Sequence, residues 1–325
     1  MDDNQITEDL DTFRSINGFT QEILGNIGRV IIGQDGVKKL VLISILSGGH
    51  SIITGVPGLA KTMLVKNLAR LLDISFSRIQ FTPDLMPSDI IGAEIVDIGD
   101  DKRKSFRFVK GPVFANLLLA DEINRTPPKT QAALLQAMEE KVVTSGGQNY
   151  ELPKPFFVFA TQNPIEQEGT YPLPEAELDR FLFNIEIDYP GSSDEFEIAK
   201  RFPDMEKGAP GPIIGHEKLG VFLDFIPKVK ISDELIRDIV GIVKNTRPSE
   251  TRKDIVKKYI LWGAGPRASQ YLMHASKANA LLKGHTVVSD EDVRELLVPV
   301  LKHRIILNFA AQAEGVTKED IINAL

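Results

Sequence analysis

A lysine followed by a threonine, at the end of a glycine-bearing loop, is the part of this chain whose residue types and spacing speak most directly of chemistry. The loop is Gly55-Val56-Pro57-Gly58-Leu59-Ala60-Lys61-Thr62. It follows the apolar run Ser51–Thr54 and leads into a helical pattern from Met63 to Leu72. Backbone N–H groups at such a strand-to-helix turn point at phosphate oxygens. A lysine ammonium there reaches the terminal phosphates, and a threonine hydroxyl ligates Mg²⁺. The ligand class is therefore a nucleoside triphosphate. The usual pattern carries glycine where Ala60 stands, and alanine is the smallest departure from it.

Two acids come next. Leu117-Leu118-Leu119-Ala120 runs straight into Asp121-Glu122, which puts both carboxylates at the carboxyl end of a buried strand, where open α/β sheets bind ligands. Asp121 is expected to hold Mg²⁺ through water, and Glu122 to orient and polarise a water attacking the γ-phosphate. A further apolar run ends Ala160-Thr161-Gln162-Asn163-Pro164. An amide at that tip, Asn163, carries both donor and acceptor and can bond the γ-phosphate and the water together.

The elements that must position these groups read as five short apolar strands: Ser51–Thr54, Ser75–Phe81, Asn116–Ala120, Phe156–Ala160 and Phe183–Asp188. Near-continuous apolar runs are typical of strands buried on both faces of a parallel sheet. Helical patterns over Thr62–Leu72 and Thr130–Glu140 alternate with them, so the fold class is α/β. Two hairpins interrupt the rhythm. Glu94–Ile98 and Phe106–Val109 flank Gly99-Asp100-Asp101-Lys102, and Val142–Thr144 and Tyr150–Leu152 flank Ser145-Gly146-Gly147-Gln148. Residues 203–215 are rich in Pro and Gly, and helical segments are expected beyond them at Leu235–Lys244, Ala268–Leu282 and Ser289–Ile306. The division expected is an extension over 1–20, a nucleotide-binding core over 21–192, a linker over 193–230 and a helical lid over 231–325.

Composition bounds the function. The net charge is −7; residues 230–325 carry 15 Lys and Arg against 12 Asp and Glu, and the first 229 carry 23 against 33. So acidic a larger part argues against a general nucleic-acid binder. No apolar run approaches the roughly 20 residues of a membrane span. The start, Met1-Asp2-Asp3-Asn4, has no positive n-region, and Cys is absent, which excludes disulfides and thiol catalysis. A cytoplasmic protein is expected. The five His residues stand at no metal-ligand spacing.

With these residues in view, the chain resembles an AAA+ ATPase. Gly55–Thr62 looks like a Walker A motif, Leu117–Glu122 a Walker B motif and Asn163 a sensor 1 residue. Glu177-Leu178-Asp179-Arg180-Phe181 resembles an arginine-finger segment, and Gly263-Ala264-Gly265-Pro266-Arg267 a sensor 2. Gly55–Thr62, Ala120-Asp-Glu-Ile-Asn-Arg-Thr-Pro-Pro-Lys-Thr-Gln, Ala160-Thr-Gln-Asn-Pro and Gly265-Pro-Arg-Ala are similar to the MoxR family in particular, over roughly residues 20 to 310. In that family alanine is a normal variant at the position of Ala60.

The resemblance implies a P-loop αβα sandwich with a five-stranded parallel sheet and a smaller all-helical lid. It also implies ATP and Mg²⁺ as ligands and a homo-hexameric ring with ATP at each subunit junction. Arg180 would then act on the neighbour's γ-phosphate. Arg267 would reach across from the lid to the nucleotide, and Ile32-Gly33-Gln34 would pack against adenine. Arg125 is either a second trans arginine or a helix-capping contact. The two hairpins match the helix-2 and pre-sensor-1 insertions and would face a substrate or partner. The implied work is chaperone-like: remodelling or maturing protein complexes, or helping insert metals or cofactors, on a protein client that often carries a von Willebrand factor A domain. A nucleic-acid translocase, which basic tips such as Lys102-Arg103-Lys104 would serve, and an ATP-gated binding switch with little turnover are the alternatives.

Overall fold

In the computed structural model, residues 3–98, 104–165, 169–202 and 211–325 are described. The first part of the chain runs α1 (Asp3–Val30), α2 (Asp35–Leu46), β1 (Ser51–Thr54), α3 (Lys61–Leu71), β2 (Phe76–Gln80), α4 (Pro87–Ile91), β3 (Gly92–Ile98) and β4 (Lys104–Lys110). It continues with β5 (Leu117–Asp121), α5 (Pro128–Glu140), β6 (Val142–Ser145), β7 (Gln148–Glu151), β8 (Phe157–Gln162), α6 (Glu175–Leu178), β9 (Phe183–Glu186) and α7 (Ser192–Arg201). The remainder is α8 (His216–Phe225), α9 (Asp233–Asn245), α10 (Asp254–Tyr259), β10 (Ile260–Trp262), α11 (Pro266–Lys283), α12 (Asp290–Arg294), α13 (Leu297–Leu301), β11 (Ile306–Leu307), α14 (Phe309–Glu314) and α15 (Lys318–Asn323).

The five expected strands form one parallel sheet in the order β2-β5-β8-β1-β9. Successive side chains of a strand point to opposite faces, and here they enter two separate cores. Ile53, Leu117, Leu119, Phe157 and Phe159 pack on the side of α1, α2 and α3, while Ile52, Leu118, Ala120, Val158 and Ala160 pack on the side of α4 and α5. This is the αβα sandwich, with a helical C-terminal region beside it. Among the described residues no helix is long and apolar enough to cross a membrane.

Both expected hairpins are present, as β3–β4 and β6–β7. Phe108 of β4 stacks on Tyr150 of β7 at 4.2 Å between ring centroids, so the two lie side by side. Lys102 and Arg103 lie outside the described residues.

Four expectations are corrected. The stretch expected as an extension over 1–20 is not separate in its described part, because α1 runs from Asp3 and buries Ile16, Phe19, Ile23 and Ile27, spaced three and four apart, against the core. The stretch 193–230 holds two helices. α7 carries acids in its first turn and basic residues in its last, which complements the helix dipole, and the Pro/Gly-rich composition belongs only to the residues between α7 and α8. The helix expected over Ser289–Ile306 opens at Ser289, in a capping box with Asp292. It then breaks into α12, α13 and a 3₁₀ turn, since Pro299 cannot donate to the carbonyl of Glu295. Finally, the lid is not wholly helical: β10 and β11 pair antiparallel.

His50, just before β1, ties the sheet to α5. Its Nδ1 accepts from the Val158 N–H at 3.0 Å, and its Nε2 faces the Met138 carbonyl. Burial lowers its pKa to about 4, and the Lys141 charge adds to this against the pull of the Met138 carbonyl. Between pH 6.5 and 4 the unfolded chain takes up a proton that the folded chain refuses. Stability is therefore expected to fall as pH drops through that window, by about 3 kcal/mol from this group. Urea unfolding at pH 7 and pH 4 checks this, and the drop should be smaller in His50→Gln.

Candidate active site

The loop between β1 and α3 is shaped by close approaches. A Cβ on Gly55 would stand 2.5 Å from the Ile187 carbonyl oxygen, so only glycine fits. Ala60 adopts φ 57°, ψ 20°, a left-handed conformation that costs a residue with a Cβ about 1 kcal/mol. That conformation is the physical reason for the usual glycine, and Ala60 carries the strain. Lys61 opens α3, and its Nζ donates to the Gly55 carbonyl at 2.6 Å. Burial lowers the Lys61 pKa, while the carboxylates of Asp121 and Glu122 oppose the shift.

Those carboxylates face the loop from the ends of neighbouring strands. Asp121 Oδ1 accepts from Thr161 Oγ1 at 2.5 Å, and its Oδ2 accepts from Arg78 Nη2 at 2.7 Å and Nε at 3.0 Å. Glu122 has φ 58°, and its N–H donates to Thr161 Oγ1 at 2.8 Å. Its Oε2 accepts from Gln80 Nε2 at 2.8 Å and from Arg125 Nη1 at 3.0 Å. Asn163 is buried past the end of β8, and its Oδ1 accepts from the Ile165 N–H. A cavity of about 420 Å³ is lined by residues 57–63 together with Arg78, Gln80, Asp121, Glu122, Thr161 and Asn163.

The oxygen donors at hand, Thr62 Oγ and the Asp121 carboxylate, suit Mg²⁺, which binds through one or two protein oxygens and keeps water and phosphate in its other positions. Among the described residues no group of three or more His, Asp or Glu could hold a metal unaided.

The chain thus brings Pro57–Met63, Asp121, Glu122 and Asn163 together. Gly55 and Val56 precede that lining in the loop and are not part of it. Ile32, Gly33 and Gln34 do not line it; the Gln34 side chain donates to the Asp188 carbonyl at 2.6 Å, and Gly33 lies against Asp194. Arg125 contacts Glu122 of its own chain.

Arg180 and Arg267 stand elsewhere. Arg180 Nη2 pairs with Glu139 Oε2 at 3.0 Å, and Arg267 Nη2 donates to Glu139 Oε1 at 3.2 Å. Both line a second cavity of about 480 Å³ with Ser47–His50 and Leu182, the residues just before β1 and β9. This is the amino-terminal edge of the sheet, whereas Lys61, Asp121, Glu122 and Asn163 lie at its carboxyl edge. The length of β1, about 13 Å, separates the two edges. Arg267, expected to reach from the lid to the nucleotide, therefore does not face the P-loop cavity of its own chain: packing of α11 against α2 sets it beside Arg180.

Sequence reasoning missed Arg78, Gln80, Thr161 and Glu139. Arg78 and Gln80 alternate as polar residues within an apolar strand next to the acid-bearing one, which was the available signal.

Comparison with known proteins gives concordant results. Residues 50–183 match the ATPase family associated with various cellular activities (AAA), and residues 252–325 match the AAA lid domain. Chaperone MoxR1 of Mycobacterium tuberculosis is 43% identical over 91% of this chain and 78% of its own length. Protein MoxR of Paracoccus denitrificans is 31% identical over 91% of this chain and 90% of its own. The crystal structure of a candidate ATPase from Cytophaga hutchinsonii superposes with a TM-score of 0.91 at 42% identity, covering 98% of this chain and 97% of that one.

Proposed function

This chain belongs to the MoxR family of AAA+ ATPases, and we propose that it hydrolyses ATP at junctions between its own copies in a closed ring. The observation that carries this is the split of the functional groups between two edges of one sheet. Lys61, Asp121, Glu122 and Asn163 line one cavity and Arg180 and Arg267 another. A chain whose two half-sites face away from each other joins them only head to tail, and such contacts close into rings when the rotation allows. A hexamer is the proposed ring.

In this reading the P-loop N–H groups and Lys61 bind the phosphates, and Thr62, with Asp121 through water, would hold Mg²⁺. The chemistry such an ion would supply is an offset to the negative charge of the phosphates. Glu122 accepts a proton from the attacking water, with its backbone fixed on Thr161 and its carboxylate steadied by Gln80. Asn163 orients that water. Arg180 and Arg267 leave Glu139 for the neighbour's γ-phosphate, where a guanidinium fork suits the equatorial oxygens. Ile32–Gln34 border the adenine. The division proposed is a core from α1 through β9 and a lid from α9 onward.

The chaperone-type activity is proposed to remodel or mature a protein complex in the cytoplasm, including metal or cofactor insertion. A client with a von Willebrand factor A domain is proposed to meet the paired hairpins, whose exposed Phe106 and Val96 offer it apolar surface. The test of the junction is concentration. Phosphate release per chain should rise steeply with protein concentration and level off where light scattering reports a completed ring. Turnover per chain that stays constant down to dilutions holding only single chains would overturn the reading.

A further inference from the structure

We infer that Arg304, from the lid, is a positioning residue for Arg180; this rests on the reading that Arg180 serves the neighbouring chain's nucleotide. Arg304 ends the 3₁₀ turn Lys302–Arg304 and is only 6% exposed. Its guanidinium grips the segment on both sides of Arg180. Nε donates to Asp179 Oδ1 at 2.7 Å, and Nη2 donates to the carbonyls of Asp179 at 2.9 Å and Phe181 at 2.5 Å. Nη1 donates to the Leu182 carbonyl at 3.3 Å and to the Val300 carbonyl of the lid itself. The one carbonyl that Arg304 leaves out, that of Arg180, accepts from Tyr271 Oη at 3.0 Å, and the Tyr271 ring lies 5.0 Å from the Arg304 guanidinium. His303 Nε2 adds a second bond to the Phe181 carbonyl. Four successive carbonyls, 179 to 182, are thus all held by lid side chains.

The need for such a clamp follows from what holds the Arg180 side chain. Its guanidinium pairs with Glu139, which is about half exposed, and an exposed ion pair fixes little. The tip of Arg180 must go where the neighbour's phosphate is, so its aim depends on the backbone beneath it. Displacing a catalytic group by about 1 Å costs on the order of 10²-fold in rate. Only arginine meets this set of acceptors, because its planar fork offers five donors while lysine is a point charge. The clamp also gives the lid a direct hold on the finger, so that a movement of the lid re-aims Arg180.

The test uses Arg304→Lys, Tyr271→Phe, Arg180→Ala and Lys61→Ala in the full-length chain. Arg304→Lys should lower kcat about tenfold, and Tyr271→Phe about threefold. ATP affinity should stay within about twofold in both, since the P-loop is at the other edge of the sheet. Mixing either variant with an equal amount of Lys61→Ala should then restore turnover, because the Lys61→Ala chain brings an intact finger to its neighbour's intact P-loop. If both variants turn over like wild type, the assignment fails. It also fails if they are slow and unrestored by mixing while Arg180→Ala is restored, since Arg304 then only holds its own chain together. Tyr271→Phe, which loses a single hydroxyl, decides the matter should Arg304→Lys not fold. Full turnover in Arg180→Ala would instead defeat the underlying trans reading, and the clamp's role with it.

Discussion

Glu122→Gln is expected to bind ATP as tightly as the wild-type chain and to hydrolyse it about 10²- to 10³-fold more slowly. The amide keeps the shape of the side chain and can still meet Gln80 and Arg125. The left-handed backbone at Glu122 and its N–H bond to Thr161 involve no side-chain charge, so the site keeps its geometry. What disappears is the acceptor for the water's proton. Lys61 and the loop N–H groups are untouched, and binding survives. The split is read by steady-state phosphate release beside equilibrium titration of a fluorescent ATP analogue. Equal turnover in the two proteins would remove Glu122 from the chemistry.

Arg180→Ala is expected to lose more, about 10³-fold in kcat, in line with the cost of removing an arginine finger. Its own P-loop should still bind ATP normally, because the residue sits at the amino-terminal edge of the sheet beside Glu139. Arg180→Lys separates charge from geometry. It should recover part of the rate, leaving a deficit of about 10- to 10²-fold, since an ammonium supplies charge without a fork. Parallel measurements of kcat and nucleotide affinity check both variants. A rise in the ATP dissociation constant with little change in kcat would place Arg180 in ground-state binding rather than in the transition state.

Much of the core could be read directly. Leu117–Ala120 and Phe156–Ala160 are continuous apolar runs because both faces of those strands are covered, and the two acids that end the first run mark the sheet's carboxyl edge without help from tertiary structure. The harder parts depend on contacts far apart in sequence. Thr161 orients Asp121 and Glu122 only because β8 lies beside β5, and Gln80 reaches Glu122 only because β2 ends opposite Asp121. An arginine at the start of a helix is easy to recognise in Gly265-Pro266-Arg267. Which edge of the sheet it faces is decided by how α11 packs, and no local pattern records that. The acidic beginning of α1 hid a helix whose apolar stripe starts only at Phe13 and Ile16.

α1 bears on how the protein can be cut down for study. Asn17 Nδ2 donates to the carbonyls of Leu281 and Leu282, and Gln21 Nε2 donates to that of Leu282, so α1 caps the last turn of α11. Between them Phe19 leans on Phe222 of α8. Trimming the first two dozen residues as a dispensable overhang would remove a strut that braces the lid from the core's side, and the shortened protein would lose rigidity at a place remote from the cut.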